Sequence, residues 1–140
     1  MSGCVFCAIA GGKAPEAVVY EDAVSLAFLD HRPLFPGHTL LIPKQHVETL
    51  PDLPPELTGP FFETAKLLAR AVETSMDAEG TFVAINNKVS QSVPHLHVHI
   101  VPRRRKDGLK GFFWPRRPYA SDEELRATTA KIREAISAPA

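Results

Sequence analysis

The sequence predicts an α+β fold: an antiparallel sheet of about five strands with one main helix and a second helix near the carboxyl end. Three observations predict it. Short β-prone runs bounded by turn residues recur through the first third of the chain and return between residues 81 and 101. A single stretch, from Pro60 to Met76, carries its apolar residues at helical spacing instead. Residues 95–100 alternate strictly between histidine and an apolar side chain, the two-residue period of a strand with two unlike faces.

Taken in order, residues 4–9 read as a short helical turn closed by Gly11-Gly12. Residues 18–21 and 25–30 read as two strands of a meander, joined at Glu21-Asp22. Arg32-Pro33-Leu34-Phe35-Pro36-Gly37 is a loop, and residues 38–42 form a third strand ended by Pro43, which has no ladder donor. Pro51, Pro54, Pro55 and Pro60 break up the next stretch, so the main helix is expected to begin only at Pro60, a residue the first turn tolerates. From there Phe61, Ala65, Leu68, Ala69, Val72 and Met76 make one stripe, with Glu63, Lys66, Arg70 and Glu73 on other faces. Strands at 81–85 and 96–101 follow, separated by a polar loop over residues 86–94. Ser121-Asp122-Glu123-Glu124 is a capping-box start for a last helix over 121–137, striped by Leu125, Thr129, Ile132 and Ile136. The helices are expected on one side of the sheet.

A length of 140 residues suits a single domain, 1–140, with a basic and aromatic segment at 103–120 ahead of the last helix. Sixteen basic and sixteen acidic side chains cancel, which argues against a surface built throughout for nucleic acid or anionic lipid. Locally the balance differs: residues 103–117 hold seven basic side chains against one acid, Asp107. No basic and apolar leader opens the sequence and no stretch reaches the roughly 20 apolar residues of a membrane span, so a cytoplasmic protein without a membrane partner is expected. Cys4 and Cys7 are the only cysteines, too close together to staple a fold.

The chemistry is concentrated in His95, His97 and His99. On one face of a strand their imidazoles form a row, while Leu96, Val98 and Ile100 turn into the core. Cys4, Cys7, His46 and one histidine of the row, His95 at its entrance, are candidates for the thiolates and imidazoles of a four-ligand structural zinc site, the alternatives at Cys4 and Cys7 being a redox pair, which lacks the preceding strand, or unliganded buried thiols. That leaves His97 and His99. Neutral imidazole is both a good nucleophile near pH 7 and a good leaving group from phosphorus, which suits a two-step transfer with His97 attacking and His99 donating to a phosphate oxygen. Gln91 and Ser92 offer further donors beside the row. Asp30, at a strand end, suits the paired hydroxyls of a ribose, and the basic run at 103–106 suits the distal phosphates of a polyanionic substrate.

These residues resemble the histidine triad family of nucleotide hydrolases and transferases, whose signature His-φ-His-φ-His-φ-φ, with φ apolar, residues 95–101 match throughout. The resemblance extends to Ala27-Phe28-Leu29-Asp30, to Pro33, to the block from Pro36-Gly37-His38 through Lys44-Gln45-His46, and to Gln91-Ser92-Val93-Pro94. It implies the histidine triad fold, a nucleophile at His97 that takes the nucleoside monophosphate from the α-phosphate and hands it to water, a phosphate ligand at His99 and a supporting histidine at His38. It further implies a ribose-binding Asp30, an apolar slot for a purine base at Phe6, Ile9 and Phe28, and structural zinc on Cys4, Cys7, His46 and His95, as in bacterial members. A homodimer is implied too, with Trp114 resembling a tryptophan placed near the partner's active site.

The chain departs from the family at three places. His31 stands where many members have an apolar residue beside the base. The loop at 86–91 is about two residues shorter, so either Asn86 or Asn87 takes the position that orients the phosphate, and Ser90 replaces a common glycine. The expected reaction is hydrolysis of a dinucleoside polyphosphate, a nucleoside phosphoramidate or an adenylate such as adenylyl sulfate, with a lean to the first because of the basic segment. Competing readings are a nucleotidyl transferase or phosphorylase of the same family, a hydrolase in which the three histidines hold a catalytic zinc, and a zinc-stabilised nucleotide-binding module without turnover.

Overall fold

The structure, a computed structural model, describes residues 3–110 and 115–138. The chain forms two compact units, residues 1–107 and 108–140.

The first unit is a five-stranded antiparallel sheet. Its strands are β1 (Val18–Glu21), β2 (Ser25–Leu29), β3 (Thr39–Pro43), β4 (Gly80–Ala84) and β5 (Val98–Arg103), arranged in the order β1-β2-β3-β5-β4. Two helices pack on it, α1 (Val5–Ala10) and α2 (Pro55–Ser75). The β1–β2 turn is held by Asp22, whose Oδ1 accepts from the amides of Val24 (2.9 Å) and Ser25 (2.8 Å), the local bonding that makes aspartate a turn residue. β3 is buried along its length because both faces of the sheet are covered. On one face Ala27, Leu41, Leu96, Val98 and Ile100 pack under Phe61, Ala65, Leu68 and Val72 of α2. On the other, Leu26, Phe28, Leu40 and Ile42 pack with Phe6 of α1. The sequence expectation of helices on one side therefore holds for α2 alone; a six-residue helix buries only one large side chain, too little for its apolar pattern to declare a face.

α2 starts five residues earlier than expected, with Pro54 as its N-cap and Pro55 at the first helical position. Prolines there forfeit nothing, since the first amides of a helix have no intrahelical acceptor. Pro60 sits inside the helix and costs it only the bond its missing N–H would have made to Glu56.

The histidine-rich run also differs from expectation. His95 and His97 precede the ladder, which begins at Val98 opposite Leu41. Pro94 and the local bond from the His95 amide to the Val93 carbonyl (2.8 Å) bend the chain, and Leu96 is tied instead to the Val47 carbonyl (2.7 Å). Leu96, Val98 and Ile100 still enter the α2 core. His99 is the cross-strand partner of Leu40 and so shares the α1 face with Phe28.

The second unit contains α3 (Asp122–Ser137). Ser121 caps it by accepting from the Glu124 amide at 3.1 Å, and Glu124 reaches back to the Ala120 amide at 2.9 Å. Leu125, Ile132 and Ile136 lie exposed along it. Among the described residues no helix is long and apolar enough to cross a membrane.

Candidate active site and metal centre

Each histidine of the run has its tautomer set by main-chain or ring partners. His95 places Nε2 2.8 Å from the Pro43 carbonyl. A carbonyl only accepts, so Nε2 carries the proton and Nδ1 offers its lone pair. His97 is the reverse case: Nδ1 donates to the His95 carbonyl at 2.7 Å, which leaves the lone pair on Nε2, with no hydrogen-bond partner among the described residues. For His99 the order comes through His38. The Leu34 amide donates to His38 Nδ1 at 3.0 Å, so the His38 proton is on Nε2, which lies 3.0 Å from His99 Nδ1. His99 therefore accepts at Nδ1 and has its own N–H at Nε2.

Burial favours the uncharged form of His38, His95 and His99. Burial pushes His99 down to about 4, with the neighbouring His97 and His38 adding to it. Burial likewise lowers His38, against the opposing pull of Asp30, and lowers His95. A nucleophile and a donor are thus available side by side, with ring centroids of His97 and His99 4.9 Å apart.

In front of them lies a cavity of about 450 Å³. Phe6, Ile9, Phe28 and Leu40 give it an apolar wall, and Asp30, His31, Arg32, Ser92, His97 and His99 its polar one. Phe6 stands edge-on to both Phe28 and His97, at centroid distances of 5.3 and 5.0 Å. Asp30 is held at the end of β2 by its amide bond to the His38 carbonyl (2.9 Å), with Oδ2 3.7 Å from His38 Nε2 and Oδ1 accepting from the Arg32 amide at 2.9 Å. A larger apolar groove of about 570 Å³ lies between α2 and the sheet around Val19, Leu67 and Met76, away from these groups.

Eight residues expected at a nucleotide site from the sequence thus line one cavity, and His38 stands behind it. Asn86, Asn87 and Gln91 do not line it. Asn87 Oδ1 accepts from the Leu50 amide (2.9 Å), while Gln91 accepts from the Lys88 amide (2.7 Å) and donates to the Glu48 carbonyl (2.5 Å), so both spend their amides on folding the loop. His31 lines the cavity with its ring almost wholly exposed. Trp114 lies outside the described residues. Val5, Arg32, Leu40 and Val93 also line it and were not anticipated; Val5, Arg32 and Val93 lie within two residues of Phe6, Asp30 and Ser92, and Leu40 is the cross-strand partner of His99.

The basic run is not where the sequence suggested. β5 carries it away from the histidines, to the end of the sheet next to Glu79. Arg103 is paired with Asp107 through Nε at 2.6 Å, Arg104 with the Met76 carbonyl, and Arg105 with Glu79. Arg103 stands four residues from His99 along β5, about 13 Å, a distance invisible to a reading that sees only sequence neighbours.

Below the cavity, Cys4, Cys7, His46 and His95 bring four ligand atoms within 4.8 Å of one another. The separations are 3.4 Å for Cys4 Sγ to His95 Nδ1, 3.3 Å for Cys7 Sγ to His46 Nδ1 and 3.6 Å for Cys7 Sγ to His95 Nδ1. Around a tetrahedral zinc, sulfur and nitrogen ligands stand about 3.5 Å apart. The donor set fits the metal, and the carbonyl on His95 Nε2 is the outer-shell partner that zinc-binding imidazoles take. Asp30, His38 and His99 also lie within 4.8 Å of one another. There His38 turns its N–H, not a lone pair, toward the group, which makes a hydrogen-bonded chain and not a cation site.

The HIT domain matches residues 11–106 of this sequence. The chain belongs to the HIT family. Among HIT relatives it is 42% identical over 139 residues to the HIT-like protein Rv1262c of Mycobacterium tuberculosis, covering 96% of this chain and 93% of that one. It is 36% identical to adenylylsulfatase HINT3 of Arabidopsis thaliana, covering 96% of this chain and 64% of the relative. It is 35% identical to adenosine 5′-monophosphoramidase hnt1 of Schizosaccharomyces pombe, over 95% of this chain and 98% of the relative. The HIT protein of Bacillus subtilis superposes with a TM-score of 0.86 at 36% identity, over 98% and 99% of the two chains. A zinc-bound histidine triad family protein of Mycobacterium smegmatis superposes with a TM-score of 0.70 at 41% identity, over 95% of this chain and 97% of the other.

Proposed function

We propose that this protein hydrolyses nucleotides at the α-phosphorus through a nucleotidyl intermediate on His97. The carrying observation is the tautomer of His97: a lone pair on Nε2 facing a cavity, backed by an Nδ1–H bonded to the His95 carbonyl. As Nε2 attacks, the N–P bond forms and the bond from phosphorus to the leaving group breaks, the leaving group taking the electron pair and, where it is an amine, a proton from solvent. The ring becomes cationic, and the carbonyl at Nδ1 steadies that charge. His99 Nε2–H donates to a non-bridging oxygen where negative charge grows. Water then attacks phosphorus, gives a proton to solvent and returns the pair to Nε2, releasing the nucleoside monophosphate.

Asp30 binds the ribose hydroxyls, and Phe6, Ile9, Phe28 and Leu40 take the purine face. His31 and Ser92 serve as further contacts on the same wall. Cys4, Cys7, His46 and His95 hold a structural zinc, which supplies rigidity to the turn beneath the nucleophile. The reading extends to a homodimer, as the family resemblance implies, and to the cytoplasm; its mass in solution checks the dimer.

Intact-mass analysis after rapid quenching with a panel of adenosine compounds tests the mechanism. The expected result is an added adenylate on the wild-type chain and none on His97→Ala. An equal adduct on both would move the nucleophile elsewhere. A zinc-free, still folded His97→Ala would favour the catalytic-metal alternative.

A further inference from the structure

Building on the hydrolase reading, we propose that Arg32 selects substrates by the charge of the leaving group, its guanidinium binding a tetrahedral oxyanion, phosphate or sulfate, attached to the α-phosphorus. Among the cavity's lining residues only Asp30 and Arg32 carry a permanent charge. Asp30 is an anion that an anionic leaving group avoids, with one carboxylate oxygen on the Arg32 amide and the other facing His38. His38 and His99 are tied to each other ring to ring at 3.0 Å, so they offer directed donors and not a fixed charge. A leaving group that departs with negative charge therefore meets a single cation here.

Position favours the same role. The Arg32 main chain is one hydrogen bond from Asp30, which stands beside His38, the ring bonded to His99. Arg32 is exposed, and its guanidinium has no hydrogen bond or ion pair among the described residues. The other cationic cluster is excluded by place and occupation. Arg103, Arg104 and Arg105 line a separate hollow with Glu79 and Gly80, and each has a partner already. A guanidinium matches the oxygens of phosphate or sulfate two at a time, which a neutral amine leaving group cannot exploit.

The test compares kcat/KM for three adenylates: a phosphoramidate that loses a neutral amine, adenylyl sulfate, and a dinucleoside polyphosphate that loses a nucleoside polyphosphate. Arg32→Gln is expected to lose about ten-fold more activity on the two anionic leaving groups than on the amine, and Arg32→Lys to recover part of that difference. A larger loss on one anion than the other names the natural source of the oxyanion. Arg105→Gln is expected to keep the wild-type ratios. Equal loss on all three substrates with Arg32→Gln, or a changed ratio with Arg105→Gln, overturns the proposal. If the wild type turns over none of them, the hydrolase reading fails, and calorimetry still decides on Arg32. The wild type should then bind ADP more tightly than AMP, and Arg32→Gln should erase the gap; a gap that persists overturns the assignment.

Discussion

The carbonyl oxygen of His95 and Nδ1 of His97 are 2.7 Å apart, so the residue whose ring completes the Cys/His cluster also sets the protonation of the next imidazole through its main chain. Cluster and proposed nucleophile are mechanically one piece. Loss of the metal should therefore be felt at both.

On the structural-zinc reading, elemental analysis should find one zinc per chain, and Cys7→Ser or chelation should remove it and lower the melting temperature by at least about 10 °C. At a temperature where the variant stays folded, kcat should drop about ten-fold, in the range for disturbing the support of a metal-ordered site. A melting temperature indifferent to chelator would count against a structural ion.

His38 should act on rate through the proton it presents to His99. In His38→Ala the Nδ1 of His99 loses its donor, its ring is free to adopt the other tautomer, and the donor aimed at the phosphate is lost. We expect kcat to fall about 100-fold with a smaller change in KM. His38→Gln keeps an N–H in reach and should recover part of the rate; recovery no better than alanine would contradict the tautomer relay.

Acid should destabilise the fold through His99. Its folded value of about 4 lies below the ordinary 6.5, burial being the main cause. Between those two values the unfolded chain binds a proton that the folded one refuses. The stabilisation is whole above pH 6.5 and is lost as pH falls toward 4, to a total of about 3 kcal/mol. His38, also lowered, adds in the same direction. Denaturant melts at about pH 7 and pH 5 should show the wild type losing more stability than His99→Asn, whose side chain does not titrate. Identical losses would remove His99 from the account.

Ser90 occupies the left-handed region, at φ 63°, where its family often has glycine. A side chain there costs about 1 kcal/mol, partly offset by the greater entropy an unfolded glycine would have. Ser90→Gly should raise stability by about 0.5 kcal/mol without lowering activity, read from denaturation midpoints.

Much of this architecture was legible because its signals are local. Two-residue alternation placed Leu96, Val98 and Ile100 in the core, the 3.6-residue stripe from Phe61 to Val72 made α2, and Ser121 with Glu124 marked the start of α3. The same locality misled at Pro54 and Pro55, read as breaks where they open a helix, and at the bend that keeps His95 and His97 out of β5.

By itself the sequence determined which chemistries were on hand: a histidine run, a cysteine pair, an acid at a strand end and aromatic residues to cover a base. Only the tertiary structure decided which nitrogen of each ring carries the proton, that Asn87 and Gln91 serve the loop, and that Arg32, not the run at 103–106, shares the cavity with the histidines. The reason is physical. Residue type and period are set by near neighbours along the chain, whereas a tautomer or a cation's place depends on which carbonyl or amide arrives from a distant segment once the sheet has closed.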